Sequence, residues 1–550
     1  MNVLAELKLF ESESLPELPE LPEVAASSAQ NPPDQASCPA AYVILSAIEG
    51  HDFHATPAVR AKAALTDTGI LFVAEGATSD VLVRSYIATL DRRKNLSDGK
   101  MTPYTEIRTV PYTDIQRLYS ESVDGATGSA IGSRRTAEES QVTSMVAEAS
   151  EERSSEVWVE VYDGTAEIHY RIAGDVERRF AVKPDVAERL IRTVVDAMSE
   201  ATSDPHYDPT RDQTGRLAQR YIEGTGLHRV RVSTGPTDEG RPFMALRLHY
   251  DLGEPRSLVE LGFTPEHEAM FENTSNSSTG IAILSGSTGH GKSTSLANYI
   301  GYRQKRDNCR RKIISLEDPP EIPIFGTIQK AVQRKGLDRQ AEGQAWIAGF
   351  ETLMRWNPDE IIAGELRLRE TMDAALKSAL TGHLTWGMLH AASATLIPAR
   401  LQEAGIELGY LCDPEIFRLF SNQSLVAQLC PHCSITYSKG RNNLSIELTK
   451  RIEKHCTADT VRMRGPGCEH CYRGVLRIRT ICAEVLNTDE AQLSVFRQGG
   501  ARALRRYWVR EQGGLTKTVH MIDKINAGLI DPVDAERVVS PLNADDPLWE

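Results

Sequence analysis

Residues 281–294 read Ile-Ala-Ile-Leu-Ser-Gly-Ser-Thr-Gly-His-Gly-Lys-Ser-Thr, and no other stretch restricts this chain so tightly. The apolar run 281–284 has the length of a buried strand. It leads into Gly286-x-x-x-x-Gly291-Lys292-Ser293, and a helical pattern continues through Ala297, Ile300 and Gln304. Strand, glycine loop and helix in that order make a P-loop. Gly286, Gly289 and Gly291 let successive N–H groups turn inward around a phosphate, and the helix adds the positive end of its dipole. Lys292 is expected to reach the β- and γ-phosphates and Ser293 to ligate Mg2+. Ser287, Thr288, His290 and Thr294 complete the expected nucleotide cradle.

The chain has 550 residues, 41% of them hydrophobic and 25% charged, which suits a globular protein of several domains. Its net charge of −14 would repel nucleic acid except at a local basic patch. No apolar stretch approaches the roughly 20 residues of a membrane span, and the N-terminus lacks the basic flank and apolar core of a signal peptide. A cytoplasmic location is therefore expected. Four of the nine cysteines form two Cys-x-x-Cys pairs, which in a reducing compartment point to metal before disulfide.

In chain order, residues 1–40 carry Leu-Pro-Glu three times from Leu15 and read as a disordered, acidic, proline-rich tail. Leu4, Leu7 and Phe10 share one helical face, so a short docking helix is an alternative to a frayed terminus there. Residues 41–119 read as a small α/β domain, with strands near 42–45 and 70–73 and a helix near 80–93. Residues 120–154, rich in Ser, Glu, Thr, Ala and Gly, read as a flexible linker. Residues 155–261 read as an α+β domain: a hairpin (157–162 and 166–172, turning at Asp163-Gly164), a helix bearing Val186, Leu190, Ile191, Val194 and Met198, then strands near 229–233 and 243–250.

After the P-loop, strand 312–316 ends in Glu317-Asp318-Pro319, and carboxylates at the C-terminal edge of a parallel sheet lie where ligands bind. A third strand, 361–363, delivers Gly364-Glu365. Glu365 is placed to orient and deprotonate the water that attacks a γ-phosphate, or else to be an acid favoured by a helix N-terminus. His383 closes a helical face and His390 the following apolar strand, so both are expected near the phosphate edge. Cys430-Pro-His-Cys433 and Cys468-Glu-His-Cys471, 34 residues apart, can close a tetrahedral Zn2+ site, with His432, His470 or Cys456 as possible replacement ligands. Gly528 and Asp531-Pro532 read as a helix stop and a new N-cap, so the region 484–550 is expected to be helical.

Taken together these stretches resemble the secretion ATPase superfamily, specifically the type II secretion and type IV pilus assembly ATPases. Residues 285–294 resemble its Walker A, 314–321 its aspartate box, 357–371 its Walker B and 379–390 its histidine box; the likeness spans roughly 155–540. It implies an α/β fold, with a RecA-like P-loop ATPase core (262–550), a preceding α+β, PAS-like domain, an inserted four-cysteine zinc knuckle (430–471) and a helical C-terminal region. It also implies ATP, Mg2+ and Zn2+ as cofactors, and a homo-hexamer at the cytoplasmic face of an inner-membrane platform protein, with no direct contact to nucleic acid. By resemblance Arg231 and Arg247 are arginines that the preceding domain brings onto bound nucleotide, and Glu317, Asp318, Glu365, His383 and His390 are catalytic.

The chain departs from the family pattern at Leu368, where aspartate is usual, at Ala391-Ala392 for Thr-Asn, at Ala173 for aspartate and at Ser424 for arginine. None removes a phosphate-contacting group, and together they point to a divergent branch such as a plasmid-borne thin-pilus system. The competing functions are a conjugative or DNA-translocating motor, a pilus retraction ATPase and a non-hydrolysing switch. Retraction motors generally lack the cysteine knuckles, and Lys292, Glu365 and both histidines argue against a switch.

Overall fold

The computed structural model describes residues 44–121, with short interruptions, and residues 136–549 apart from 201–205 and 334–338. The tail expected over 1–40 lies outside the described residues. The chain divides into two compact units, 1–134 and 135–550.

In the first unit, strands Ala63–Leu65 and Ile70–Ala74 pair antiparallel, and Glu106–Val110 lies parallel to the second. Leu65, Leu71, Val73 and Ile115 are buried together, the last from helix Tyr112–Glu121. The strand expected at 42–45 is not formed where it is described: Ile44 makes one bridge to Thr66, and Leu45–Ala47 is a 3-10 turn. The described residues from 83 to 91 are helical, within the helix expected at 80–93.

The second unit corrects the linker expected at 120–154. Helix Ala137–Glu151 begins at a capping box in which Thr136 Oγ1 accepts from Glu139 N–H and the Glu139 carboxylate accepts from Thr136 N–H. Its Ser- and Glu-rich composition hides a buried stripe, Val142, Met145, Val146 and Ala149, at the 3, 4 and 7 spacing of one helical face. With helix Pro184–Thr193, it joins the core of a six-stranded antiparallel sheet. The strand order is Asp175–Val182, Ala166–Ile172, Ser154–Val161, Pro242–Tyr250, Leu227–Pro236, Gln213–Arg216. Alternation puts Val157, Val159 and Val161 in the core and leaves Glu156, Trp158 and Glu160 on the opposite face.

The RecA-like core is a seven-stranded sheet ordered Thr327–Ala331, Ile313–Glu317, Glu360–Glu365, Leu384–Leu389, Gly280–Ser285, Phe417–Leu429, Val475–Asn487. The first six strands are parallel and the last is antiparallel. The central strands are buried along their length, which is why they read as continuous apolar runs. Apolar clusters cover both faces; one includes Trp386 stacked on Phe271 at 6.0 Å. The helical C-terminal region starts at 490 and not at 484, because the strand Val475–Asn487 runs on to 487, and it comprises Glu490–Arg510, broken at Gly500 (φ 68°), Lys517–Asn526 and Pro532–Val538. Gly528 is left-handed (φ 68°), and the Asp531 side chain caps the last helix by accepting from Val533 and Asp534 N–H.

Candidate nucleotide and metal sites

The C-terminal ends of the parallel strands build one cavity of about 920 Å³, closed on one side by the antiparallel sheet of the preceding domain. Residues 286–291 link strand Gly280–Ser285 to helix Lys292–Arg306. Glycine is required at 286 because the backbone there has φ 148°, and a Cβ would lie 2.5 Å from the Gln423 carbonyl oxygen. Gln423 also steadies the loop from the adjacent strand, its Nε2 donating to His290 O at 2.7 Å. The Lys292 ammonium donates to the carbonyls of Gly286 (2.9 Å) and Ser287 (3.2 Å). Burial lowers its pKa, with Arg367 and Arg247 acting in the same direction and Glu365 opposing them. Burial, reinforced by Arg479, Lys517 and Lys292, pushes the His290 imidazole down to about 4, so it is neutral at pH 7.

Thr288, Gly289, His290, Gly291, Lys292, Ser293 and Thr294 line the cavity, and so do Glu317, Asp318, Glu365, His390, Arg231 and Arg247. Glu317 ends its strand and accepts from Gln329 Nε2 at 2.9 Å; burial raises its pKa. Glu365 Oε1 lies 2.7 Å from His390 Nε2 and 2.7 Å from Arg367 Nε. Arg231 Nη1 is 3.2 Å from Glu321 Oε1, and Arg247 Nη2 is 3.8 Å from Glu156 Oε1.

His383 is not brought to this cavity. Strand Leu384–Leu389 runs parallel to the P-loop strand, with Gly280 opposite Leu384 and Ser285 opposite Leu389. His390 therefore follows the strand at the phosphate edge, while His383 precedes it at the far edge, about 20 Å away at the rise of a strand. There His383 Nδ1 sits 3.2 Å from Ser378 O. Arg479 and Gln423 carried no motif signal, because both come from long strands whose place in the sheet is set by distant pairing. Arg479 lines the cavity and donates to Gly289 O at 3.4 Å.

The arrangement suits a polyphosphate with Mg2+. Ser293 in the first helical turn and the carboxylates of Glu317, Asp318 and Glu365 offer the oxygen donors that this hard cation prefers.

The cysteines of the two Cys-x-x-Cys pairs are brought together by strand register. Leu429 pairs with Val475, so Cys430–Cys433 and Cys468–Cys471 fall side by side at one end of two antiparallel strands. Sγ–Sγ separations are 3.7 Å for Cys430–Cys468, 3.7 Å for Cys433–Cys471 and 3.6 Å for Cys468–Cys471, and all four sulfurs lie within 4.8 Å of one another. Four thiolates at about 2.3 Å from Zn2+ in a tetrahedron stand about 3.8 Å apart, so the set fits zinc. Gly465 admits no side chain, since a Cβ would meet Cys433 O at 1.7 Å. His432 and His470 lie with ring centroids 4.4 Å apart, and neither they nor Cys456 belong to the sulfur cluster.

The sequence profile of the family described as Type II/IV secretion system protein matches residues 134–531. The chain belongs to that family. A Type II secretion system ATPase E from Vibrio cholerae serotype O1 is 28% identical over 404 residues, covering 72% of this chain and 74% of its own. A Protein transport protein HofB homolog from Escherichia coli K12 is 30% identical over 377 residues, 66% of this chain and 76% of its own. Among solved structures, the Legionella pneumophila ATPase DotB is 18% identical with a TM-score of 0.49, covering 75% of this chain and 97% of its own. The pilus retraction motor PilT with bound ADP is 20% identical with a TM-score of 0.47, covering 72% and 96%. Among the described residues of this secretion-system protein, no helix is long and apolar enough to cross a membrane.

Proposed function

We propose that the chain is an ATP-hydrolysing motor, a hexamer working at the cytoplasmic face of an inner-membrane platform protein, that drives type II-like secretion or type IV pilus assembly. The observation that carries this reading is the convergence of Lys292, Glu365, His390, Arg231 and Arg247 on one cavity, within a family of secretion-system proteins. Lys292, Ser293 and the loop N–H groups would hold the phosphates of ATP; Mg2+ held by Ser293 and nearby carboxylates would neutralise their charge. Glu365 would orient the attacking water and take its proton, steadied by His390 at 2.7 Å. Arg231 and Arg247 would supply positive charge as the γ-phosphate oxygens gain negative charge, a role typically worth ~10³ or more in turnover. His383 lies too far from this cavity to act on nucleotide held by the same chain. The four-cysteine cluster favours an assembly or secretion role over retraction, and the net charge of −14 disfavours a DNA motor.

The test is hydrolysis by the full chain carrying Glu365→Gln. MgATP binding should persist while turnover falls by at least ~10²-fold, as expected when a positioned base is removed. Equal turnover in wild type and variant would defeat the role given to Glu365, and strong stimulation by DNA would favour the translocating motor.

A further inference from the structure

The two arginines facing the nucleotide cavity are not equivalent. Arg247 lines the cavity with Nη2 3.8 Å from Glu156 of its own sheet, so among the described residues no group of the ATPase core holds it, and its charge helps to lower the Lys292 pKa. Arg231 instead points at the aspartate-box loop, where Glu321 Oε1 receives it at 3.2 Å, and at 42% exposure its side chain has room to move. Glu321 is more than an incidental partner. The mostly buried His249 ring brings Nδ1 within 4.0 Å of the same carboxylate, its Nε2 has no hydrogen-bond partner among the described residues, and burial lowers its pKa. Arg229, the next residue along that face of strand Leu227–Pro236, also feels Glu321 and Glu317. One carboxylate from the ATPase core thus meets Arg231 and His249 of the preceding domain and acts on the charge of Arg229, all three on the two adjacent strands that carry Arg231 and Arg247.

We infer that Glu321 is a positioning residue, a built-in anion that occupies Arg231 until a phosphate takes it over. This rests on the reading of Arg231 as a phosphate-facing arginine. A guanidinium held by a carboxylate can turn to the γ-phosphate only by giving up that pair, so nucleotide binding is taxed by the clasp. In return the clasp holds the preceding domain against the core before nucleotide arrives, and it links release of the aspartate-box loop to capture of the phosphate. Asp318, three residues earlier, opens that loop, whereas Glu317 closes the strand before it and stays paired in the sheet.

The test is a double-mutant cycle on the full chain with Glu321→Gln, Arg231→Ala and the pair. Dissociation constants for the β,γ-imido analogue of ATP are measured by calorimetry, and KM and kcat for ATP by phosphate release. Removing a half-exposed ion pair that competes with the ligand should tighten analogue binding and lower KM about 2- to 5-fold, with kcat no lower than wild type. The gain should vanish when Arg231 is already alanine, and Glu321→Asp, which keeps the charge, should behave as wild type. Weaker binding or lower kcat in Glu321→Gln would overturn the inference, because Glu321 would then support the site. An affinity gain of full size in the Arg231→Ala background would overturn it as well. The underlying reading fails separately: Arg231→Ala with undiminished kcat removes Arg231 from the chemistry whatever Glu321 does.

Discussion

The strand that ends in Glu365 begins at Glu360, a fully buried carboxylate, and replacing it should unlock the middle of the sheet. Glu360 accepts from Arg303 Nη2 at 2.6 Å on both oxygens, from Arg311 Nη1 at 3.1 Å and from Trp386 Nε1 at 2.8 Å. Arg303 is 4% exposed and Glu360 0%, so Glu360→Met strands a guanidinium where water cannot reach it. Burial works against the Arg303 charge, and Glu360 outweighs it, raising the arginine pKa. Removing one partner of such a pair costs about 3–5 kcal/mol. The double variant Glu360→Met/Arg303→Met leaves no stranded charge there, since Arg311 is 37% exposed and can turn to water. Its remaining deficit is the unpaired Trp386 N–H, about 1–3 kcal/mol. Hydrogen exchange in peptides covering Ile313–Glu317 and Glu360–Glu365 reads this directly. Opening should become about 10²- to 10⁴-fold more frequent in the single variant and recover substantially in the double. A single variant costing under about 1 kcal/mol, or a double variant as unprotected as the single, would refute the reasoning.

Two further outcomes follow from other parts of the chain. Protein purified without chelators should carry one zinc per chain, and Cys468→Ser should lose it and loosen residues 430–475, because the ligand set closes a loop that is otherwise held by short strands; elemental analysis finding no zinc would contradict this. Acid should loosen helix Pro265–Ser275 selectively. Burial pushes His267, in the first turn of that helix, down to about 4 and the adjacent His520 ring, 5.4 Å away, to about 3, so both are held neutral at pH 7. Folded values below the unfolded ~6.5 mean that this stability is complete above pH ~6.5 and is lost as pH falls toward 4, on the order of 3 kcal/mol for His267. Exchange protection of that helix should fall between pH 6.5 and 4, and His267→Gln should flatten the slope.

The clustering of charged residues at the glycine-loop edge was legible in sequence because parallel strands share one direction. Every acidic or basic residue that closes an apolar run, Glu317, Glu365 and His390 alike, arrives at the same side of the sheet as the glycine loop. The same rule, applied strictly, excludes His383, which opens a strand where His390 closes it. Helix Ala137–Glu151 is hard to read in sequence because its four buried apolar residues, though spaced for a helix, are diluted by Ser and Glu. Edge strand Thr327–Ala331 carries Thr, Gln and Lys and has no apolar signature, since an edge is only partly buried.

Local sequence therefore determined the P-loop, the carboxylates at the strand ends, the pairs of cysteines and the C-terminal caps, because each depends on residues within a few positions of one another. Only tertiary structure decided that Gln423 and Arg479 hold the P-loop, that Glu321 meets Arg231 ninety residues away, and that Leu429 pairs with Val475 so that four sulfurs meet. Those contacts are set by strand order and register in two sheets. Such pairing comes from the burial of whole faces, and no short stretch of sequence records it.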